Sequence, residues 1–162
     1  MPAAALGEAE VWAALQEVKD PELPALSVVE LGIIRGVEAA GESVCVSMTP
    51  TFSACPALQV MREAIEAKLR ELGFERVRVD TVLAPAWTSD WITPAGREKL
   101  ERFGIAPPGP ASALVRLEPE PVRCPRCGSL DARLANGFGP TLCKSLYLCN
   151  ACREPFEAFK AL

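Results

Sequence analysis

The chain of 162 residues contains no histidine. That absence removes every mechanism that needs an imidazole: Ser-His-Asp triads, Cys-His nucleophile pairs, two-histidine facial triads and His-ligated zinc. A soft-metal site must therefore be built from cysteine, with help at most from carboxylates. Long apolar runs are also missing, and nothing approaches the ~20 residues that cross a bilayer. Met1 to Gly7 carries neither Lys nor Arg, which argues against a secretory leader. The sequence thus reads as a cytoplasmic protein with no membrane partner. The net charge of −4 supplies no overall pull toward nucleic acid, and none is expected as a partner. Asparagine and glutamine together number four, and Arg outnumbers Lys 12 to 5. A heat-adapted source and a GC-rich genome both produce that bias.

Against these absences stand seven cysteines and fifteen prolines. An odd cysteine count in a chain of cytoplasmic character points to metal or thiol chemistry rather than a disulfide framework. Charge is uneven: residues 1–122 carry a net −7 and residues 123–162 a net +3. Pro107, Pro108, Pro110, Pro119 and Pro121 crowd one stretch, where missing amide donors favour an extended connector. The expected organisation is a main domain over 1–105, a Pro-rich linker over 106–122 and a small module over 123–162.

Hydrophobic spacing in the main domain alternates between the two periods. Val11, Leu15 and Val18 predict a helix over 8–19, ended by Pro21. Ile33, Ile34 and Val37 predict a strand over 31–39. Val44, Val46 and Met48 against Ser43, Cys45 and Ser47 predict another over 43–48. Leu58, Met61, Ile65, Leu69 and Leu72 define an amphipathic helix over 58–72, stopped by Gly73. Residues 76–83 alternate as a strand. Thr93-Pro94 opens a last helix that runs to Phe103. This order predicts an α+β domain, a small mixed sheet covered by helices.

In the tail, Cys124-Pro-Arg-Cys127 and Cys149-Asn-Ala-Cys152 stand 21 residues apart. Each pair turns two sulfurs from a tight loop toward one ion, and together they supply the four thiolates of a zinc ribbon. A module this small buries too little apolar surface to fold without such a staple. Zinc suits the donor set; rubredoxin-like iron or an iron–sulfur cluster shares the chemistry. Four equivalent thiolates leave no open coordination position, so the ion is structural and not catalytic. Asn136-Gly137 between the pairs signals a hairpin turn.

Cys45, Cys55 and Cys143 remain. Cys55 directly precedes the amphipathic helix, with Pro56 suited to its first position. A thiol at a helix N-terminus is expected to have a lowered pKa and to be a better nucleophile and metal ligand; a small buried core residue fits the same position. Cys45 lies mid-strand and reads as structural. Cys143 reads as a ribbon residue, or as a second thiol. Asp20 and Glu22 flank Pro21, and Asp90 sits between Trp87 and Trp91. Loop carboxylates usually cap helices, and the two tryptophans suit a core or a partner surface.

Asp20-Pro21-Glu22-Leu23-Pro24, Ser27, Leu31-Gly32-Ile33 and Thr49-Pro50-Thr51 through Cys55-Pro56 resemble the metal–sulfur cluster biosynthesis domain of SufT-like and MIP-type proteins. Pro85 through Thr93, Gly96-Arg97, Gly104 through Pro108, the Cys-x-x-Cys pairs and Cys149 to Phe156 resemble the PaaD (PaaJ) family of aerobic phenylacetate degradation. Glu30 stands where that family often has Asp. The resemblance implies an iron–sulfur assembly fold plus a zinc ribbon, and an accessory or maturation role for the ring-1,2-phenylacetyl-CoA epoxidase. The expected partners are its di-iron oxygenase or its [2Fe–2S] reductase. Cys55 would then carry a transient iron or iron–sulfur species, with Asp20, Glu22 and Cys143 as helpers and a homodimer as one way to complete the shell. Two other roles stand beside this one: a structural bridging subunit of the oxygenase complex, and a thiol redox or transferase enzyme. A non-catalytic accessory protein is the expectation.

Overall fold

In the computed structural model, which describes residues 6–111 and 121–162, the alternation at 43–48 becomes strand β2 (Ser43–Met48), with Val44, Val46 and Met48 buried and the intervening residues half-buried. Strand β1 (Ile34–Ala40) pairs antiparallel with it. The Ala40–Ser43 pair closes a two-residue loop, and Gly41 takes the left-handed conformation there at φ +58°, a position that favours glycine. Helix α2 (Leu58–Leu72) then carries the chain back, and β3 (Arg76–Thr81) lies parallel to β2, as a parallel pair requires a crossover. The sheet order is β1-β2-β3.

The helices bury the faces that their spacing prescribes. Met61, Ile65 and Leu69 of α2 and Val11 and Leu15 of α1 (Glu8–Leu15) are all but inaccessible, as are Val46 and Val79 of the sheet. Each such side chain contributes about 1.5–3 kcal/mol by leaving water. Gly73, at φ +114°, ends α2. On the edge strand β3, the Arg62 guanidinium reaches from α2 and donates to the Val79 carbonyl at 2.7 Å.

The two largest departures from the periodicity are at α1 and β1; β3 ends at Thr81 rather than 83, and the helix opened by Thr93-Pro94 at Arg102 rather than Phe103. Helix α1 stops at Leu15 rather than 19, because Lys19 forms an antiparallel bridge with Ser27. Strand β1 starts at Ile34 rather than 31. Gly32, at φ +69°, turns the chain first, with Gly32 N–H donating to the Val29 carbonyl and Ile33 N–H to that of Val28.

The chain divides into two compact units, Met1–Trp87 and Thr88–Leu162. This division lies upstream of the residue 105 expected from composition. Its cause is β4 (Ile105–Ala106), which pairs parallel with β7 (Pro155–Phe159). A short 3-10 turn (Ser89–Trp91) and α3 (Pro94–Arg102) therefore go with the ribbon. Thr93 caps α3, its hydroxyl accepting from Gly96 N–H at 3.0 Å with Pro94 in the first turn. Strands β5 (Ala132–Asn136) and β6 (Lys144–Cys149) complete a second sheet of order β4-β7-β6-β5. Asn136-Gly137 does not join these strands directly. Residues 137–143 intervene, and the Asn136 side chain accepts from Phe138 N–H instead. Residues 112–120 of the expected linker lie outside the described residues. No helix among the described residues is long and apolar enough to cross a membrane.

Candidate metal centre and the Cys55 loop

Residues from the ends of two strands converge in the second unit. Cys124 and Cys127 come from the turn before β5; Cys149 ends β6, and Cys152 lies in the turn before β7. Their four sulfurs all fall within 4.8 Å of one another. The Cys124–Cys152 and Cys127–Cys149 sulfurs stand 3.8 and 3.6 Å apart. A tetrahedron with Zn–S bonds of ~2.3 Å has edges of about 3.8 Å, so the donor set fits a zinc ion in both number and spacing. Backbone amides, that of Cys152 foremost, hold the Cys149 thiol down to about 7. The Glu154 amide pulls Cys152 the same way, but burial and the three neighbouring sulfurs outweigh it and push that thiol up to about 12. Four thiolates this close need a cation to coexist.

The two knuckles share one backbone. Gly128 N–H donates to the Cys124 carbonyl at 2.9 Å, and Arg153 N–H donates to the Cys149 carbonyl at 3.0 Å. Both residues are left-handed, Gly128 at φ +77° and Arg153 at φ +64°. The conformation is natural for glycine and costs an arginine about 1 kcal/mol. Cys124 and Cys149 also belong to the unit's apolar cluster, with Ala106, Phe156 and Ala158, so the ion site is continuous with the core.

In the first unit, β2 runs into buried Thr49 and Pro50 and then into the loop that holds Cys55. Cys55 is half-buried. Its N–H donates to the Phe52 carbonyl, and its own carbonyl accepts from Leu58 N–H. A turn thus separates it from α2, whose N-cap is Ala57. The expectation of a lowered thiol pKa is not met. Burial pushes the Cys55 thiol up; the Ala57 and Leu58 amides pull it down, and the Glu22 and Asp20 carboxylates add to the rise. Desolvation of an anion beside two negative charges outweighs the helix terminus. The charges of Glu22 and Asp20 are therefore felt at Cys55. Asp20 is buried, and one of its oxygens accepts from Glu22 and Leu23 N–H, both at 2.8 Å. A cavity of about 340 Å³ lies along the same loop, between Thr49–Ser53 and Leu83, Ala86 and Trp87.

This electrostatic setting has a measurable result. In the full chain with the ribbon cysteines metal-bound, maleimide labelling of Cys55 should reach half its maximal rate at a pH above that of a free thiol. Glu22→Gln should move that midpoint downward. A midpoint at or below that of a free thiol in the wild-type chain would contradict the geometry.

The other candidates separate from these sites. Cys143 is buried, 3.2 Å from the Thr141 hydroxyl, and stands outside the four-sulfur group. Cys45 lies on the face of the sheet opposite the buried valines and donates to Asp80, 3.6 Å away, while burial first and Asp80 second raise its thiol. Asp90 caps no helix. It accepts from the Ala111 N–H at 3.0 Å. Trp87 is core, its indole N–H donating to the Leu31 carbonyl at 2.9 Å.

Ser27 and Glu30 form a reciprocal box that the sequence signals but the periodicity passes over. Ser27 N–H donates to the Glu30 carboxylate at 2.9 Å, and Glu30 N–H to the Ser27 hydroxyl at 3.0 Å. The Ser-x-x-Glu pattern is the mark of this arrangement. Both residues are buried beside the Leu31–Gly32 turn, so Glu30 has a structural task that its extra methylene does not prevent.

An α+β domain with a cysteine-bearing loop, followed by a four-thiolate ribbon, defines a metal–sulfur protein of two parts. Residues 8–81 match the family described as iron-sulfur cluster assembly protein, and residues 108–160 match the PaaD zinc beta ribbon domain. Over 94% of this chain and 92% of the relative, the sequence is 46% identical to an Escherichia coli (strain K12) protein provisionally named as a subunit of 1,2-phenylacetyl-CoA epoxidase. The chain belongs to the PaaD family. A Porphyromonas gingivalis (strain ATCC BAA-308 / W83) protein named Fe-S protein maturation auxiliary factor is 32% identical over 53% of this chain and 83% of its own length. A conserved hypothetical protein from Thermotoga maritima shares the first unit's fold. It has a TM-score of 0.53 and 30% identity, covering 60% of this chain and 97% of that one.

Proposed function

We propose that the chain is a non-catalytic accessory protein that helps install or repair an iron or iron–sulfur centre of a phenylacetyl-CoA epoxidase. The observation that carries this reading is a half-buried Cys55 thiol within electrostatic reach of the Glu22 and Asp20 carboxylates. The carboxylates that disfavour a bare thiolate favour a cation at the same place. The thiol stays protonated until a soft ion displaces the proton, and the carboxylates offset the ion's charge. Such a site suits cargo held briefly. One cysteine does not complete a cluster's shell, so a further ligand comes from the client, a small thiol or a second copy. The epoxidase is taken from the Escherichia coli relative's name and the maturation role from the Porphyromonas gingivalis relative's.

The bridging reading rests on the Escherichia coli relative being named as a component of its complex. The thiol-enzyme reading loses its main support, because the thiol is raised and the chain offers no histidine as base. Replacing Cys55 with Ser in cells, then measuring iron and acid-labile sulfide in the purified epoxidase components together with activity, separates the readings. A maturation role predicts metal-poor, weakly active components that still assemble. Unchanged metal content and activity would end it, and a bridging role predicts that the complex is indifferent to Cys55→Ser.

A further inference from the structure

In the two matched knuckles the residue after the second cysteine is Gly128 in one and Arg153 in the other, with the same left-handed backbone and the same closing hydrogen bond. The fold asks for glycine there; the second knuckle carries an exposed guanidinium instead. Strain kept at a position where an easier residue is available points to use. The first knuckle presents Arg126, also exposed, and among the described residues neither side chain has a hydrogen-bond or ion-pair partner. Glu154, adjacent to Arg153, pairs with neither, and Glu157 is engaged by Lys144. Arg126 further lines a cleft of about 380 Å³ with Phe103, which is 57% exposed, Leu146 and Pro155.

We propose that the knuckle end of the ribbon is a docking surface for an acidic segment of a protein partner, whose carboxylates pair with Arg126 and Arg153 and whose apolar side chain enters the cleft beside Phe103. Guanidinium groups bind carboxylates through two parallel hydrogen bonds, and an aromatic-lined cleft supplies the anchor. A nucleic acid is disfavoured by the chain's net −4. The surface depends on the proposed accessory role only in that the chain works on a protein partner; it does not involve Cys55.

The test uses the full zinc-loaded chain and a fluorescein-labelled octapeptide of alternating glutamate and leucine, with a twelve-residue oligothymidylate as competitor. Binding should weaken with salt. Arg153→Gly should raise the thermal midpoint of the ribbon by a few degrees yet weaken the peptide by about tenfold. Arg126→Gln should weaken it similarly with no gain in stability. If Arg153 serves only to offset the charge of the thiolate site, Arg153→Gly loosens zinc and leaves peptide binding unchanged, and the proposal falls. It falls equally if the oligothymidylate binds more tightly than the peptide or if the wild-type chain binds neither. Because Cys55→Ser should leave this binding intact, its outcome is independent of the cargo site's.

Discussion

Stripping the ion from Cys124, Cys127, Cys149 and Cys152 is expected to unfold the second unit and spare the first. The apolar cluster of the ribbon has five buried members, and two of them are ligand cysteines. Without the ion those sulfurs become crowded, partly ionised groups in a core that must be dry. Structural zinc contributes about 10–16 kcal/mol in small finger modules, as much as the entire stability of an ordinary domain. Val11, Leu15, Met61, Ile65 and Leu69 give the first unit a core of its own. Amide exchange of the full chain with a strong chelator should therefore show β5, β6 and β7 losing protection while β1, β2 and β3 keep theirs. Cys149→Ser should reproduce the pattern. Acid should act in the same direction, since protons compete with zinc for thiolates. Persistent protection across β6 after complete zinc removal would show that the ribbon folds by apolar packing alone.

The next largest effect is expected at a charge inside that same sheet. Lys144 opens β6 with its side chain only 7% exposed, and its ammonium meets the Glu157 carboxylate of β7 at 2.5 Å. Cross-strand pairing holds the two strands in register nearby, Lys144 opposite Phe159 and Leu146 opposite Glu157. Glu157→Ala leaves an ammonium out of water without its counter-charge, which costs about 3 kcal/mol. In a unit of this size the loss should lower the thermal midpoint of the zinc-loaded ribbon by more than about 10 °C. The double replacement Lys144→Met with Glu157→Leu should recover most of it, because the penalty belongs to the orphaned charge and not to the missing attraction. A Glu157→Ala midpoint within a degree or two of wild type would mean that solvent reaches Lys144.

The sequence discloses what local periodicity and ligand spacing control. Helix α2 spans 58–72 and strand β2 spans 43–48, the limits set by Gly73 and by the valine alternation, and Thr93-Pro94 opens α3 as its chemistry requires. The mixed sheet under helices and the four converging sulfurs follow from the same kind of signal. What stays hidden is non-local. Ile105 and Ala106 make a strand too short to show a period; only its partner β7 reveals that α3 goes with the ribbon. The Cys55 thiol rises because the fold buries it, and because the charges of Glu22 and Asp20, more than thirty positions earlier, reach it. Neither burial nor a distant charge is written in the residues beside Cys55, whereas the helix start is, which is why the local reading favours the opposite sign.

The Arg62 guanidinium bound to the Val79 carbonyl has a consequence for self-association. It plugs part of the outer rim of β3, the side from which another chain would have to add strands. Any fibril-like stacking or dimer built across that rim must first break this hydrogen bond and move the Arg62 side chain aside. A second copy that approaches along β3 would therefore meet this guanidinium first.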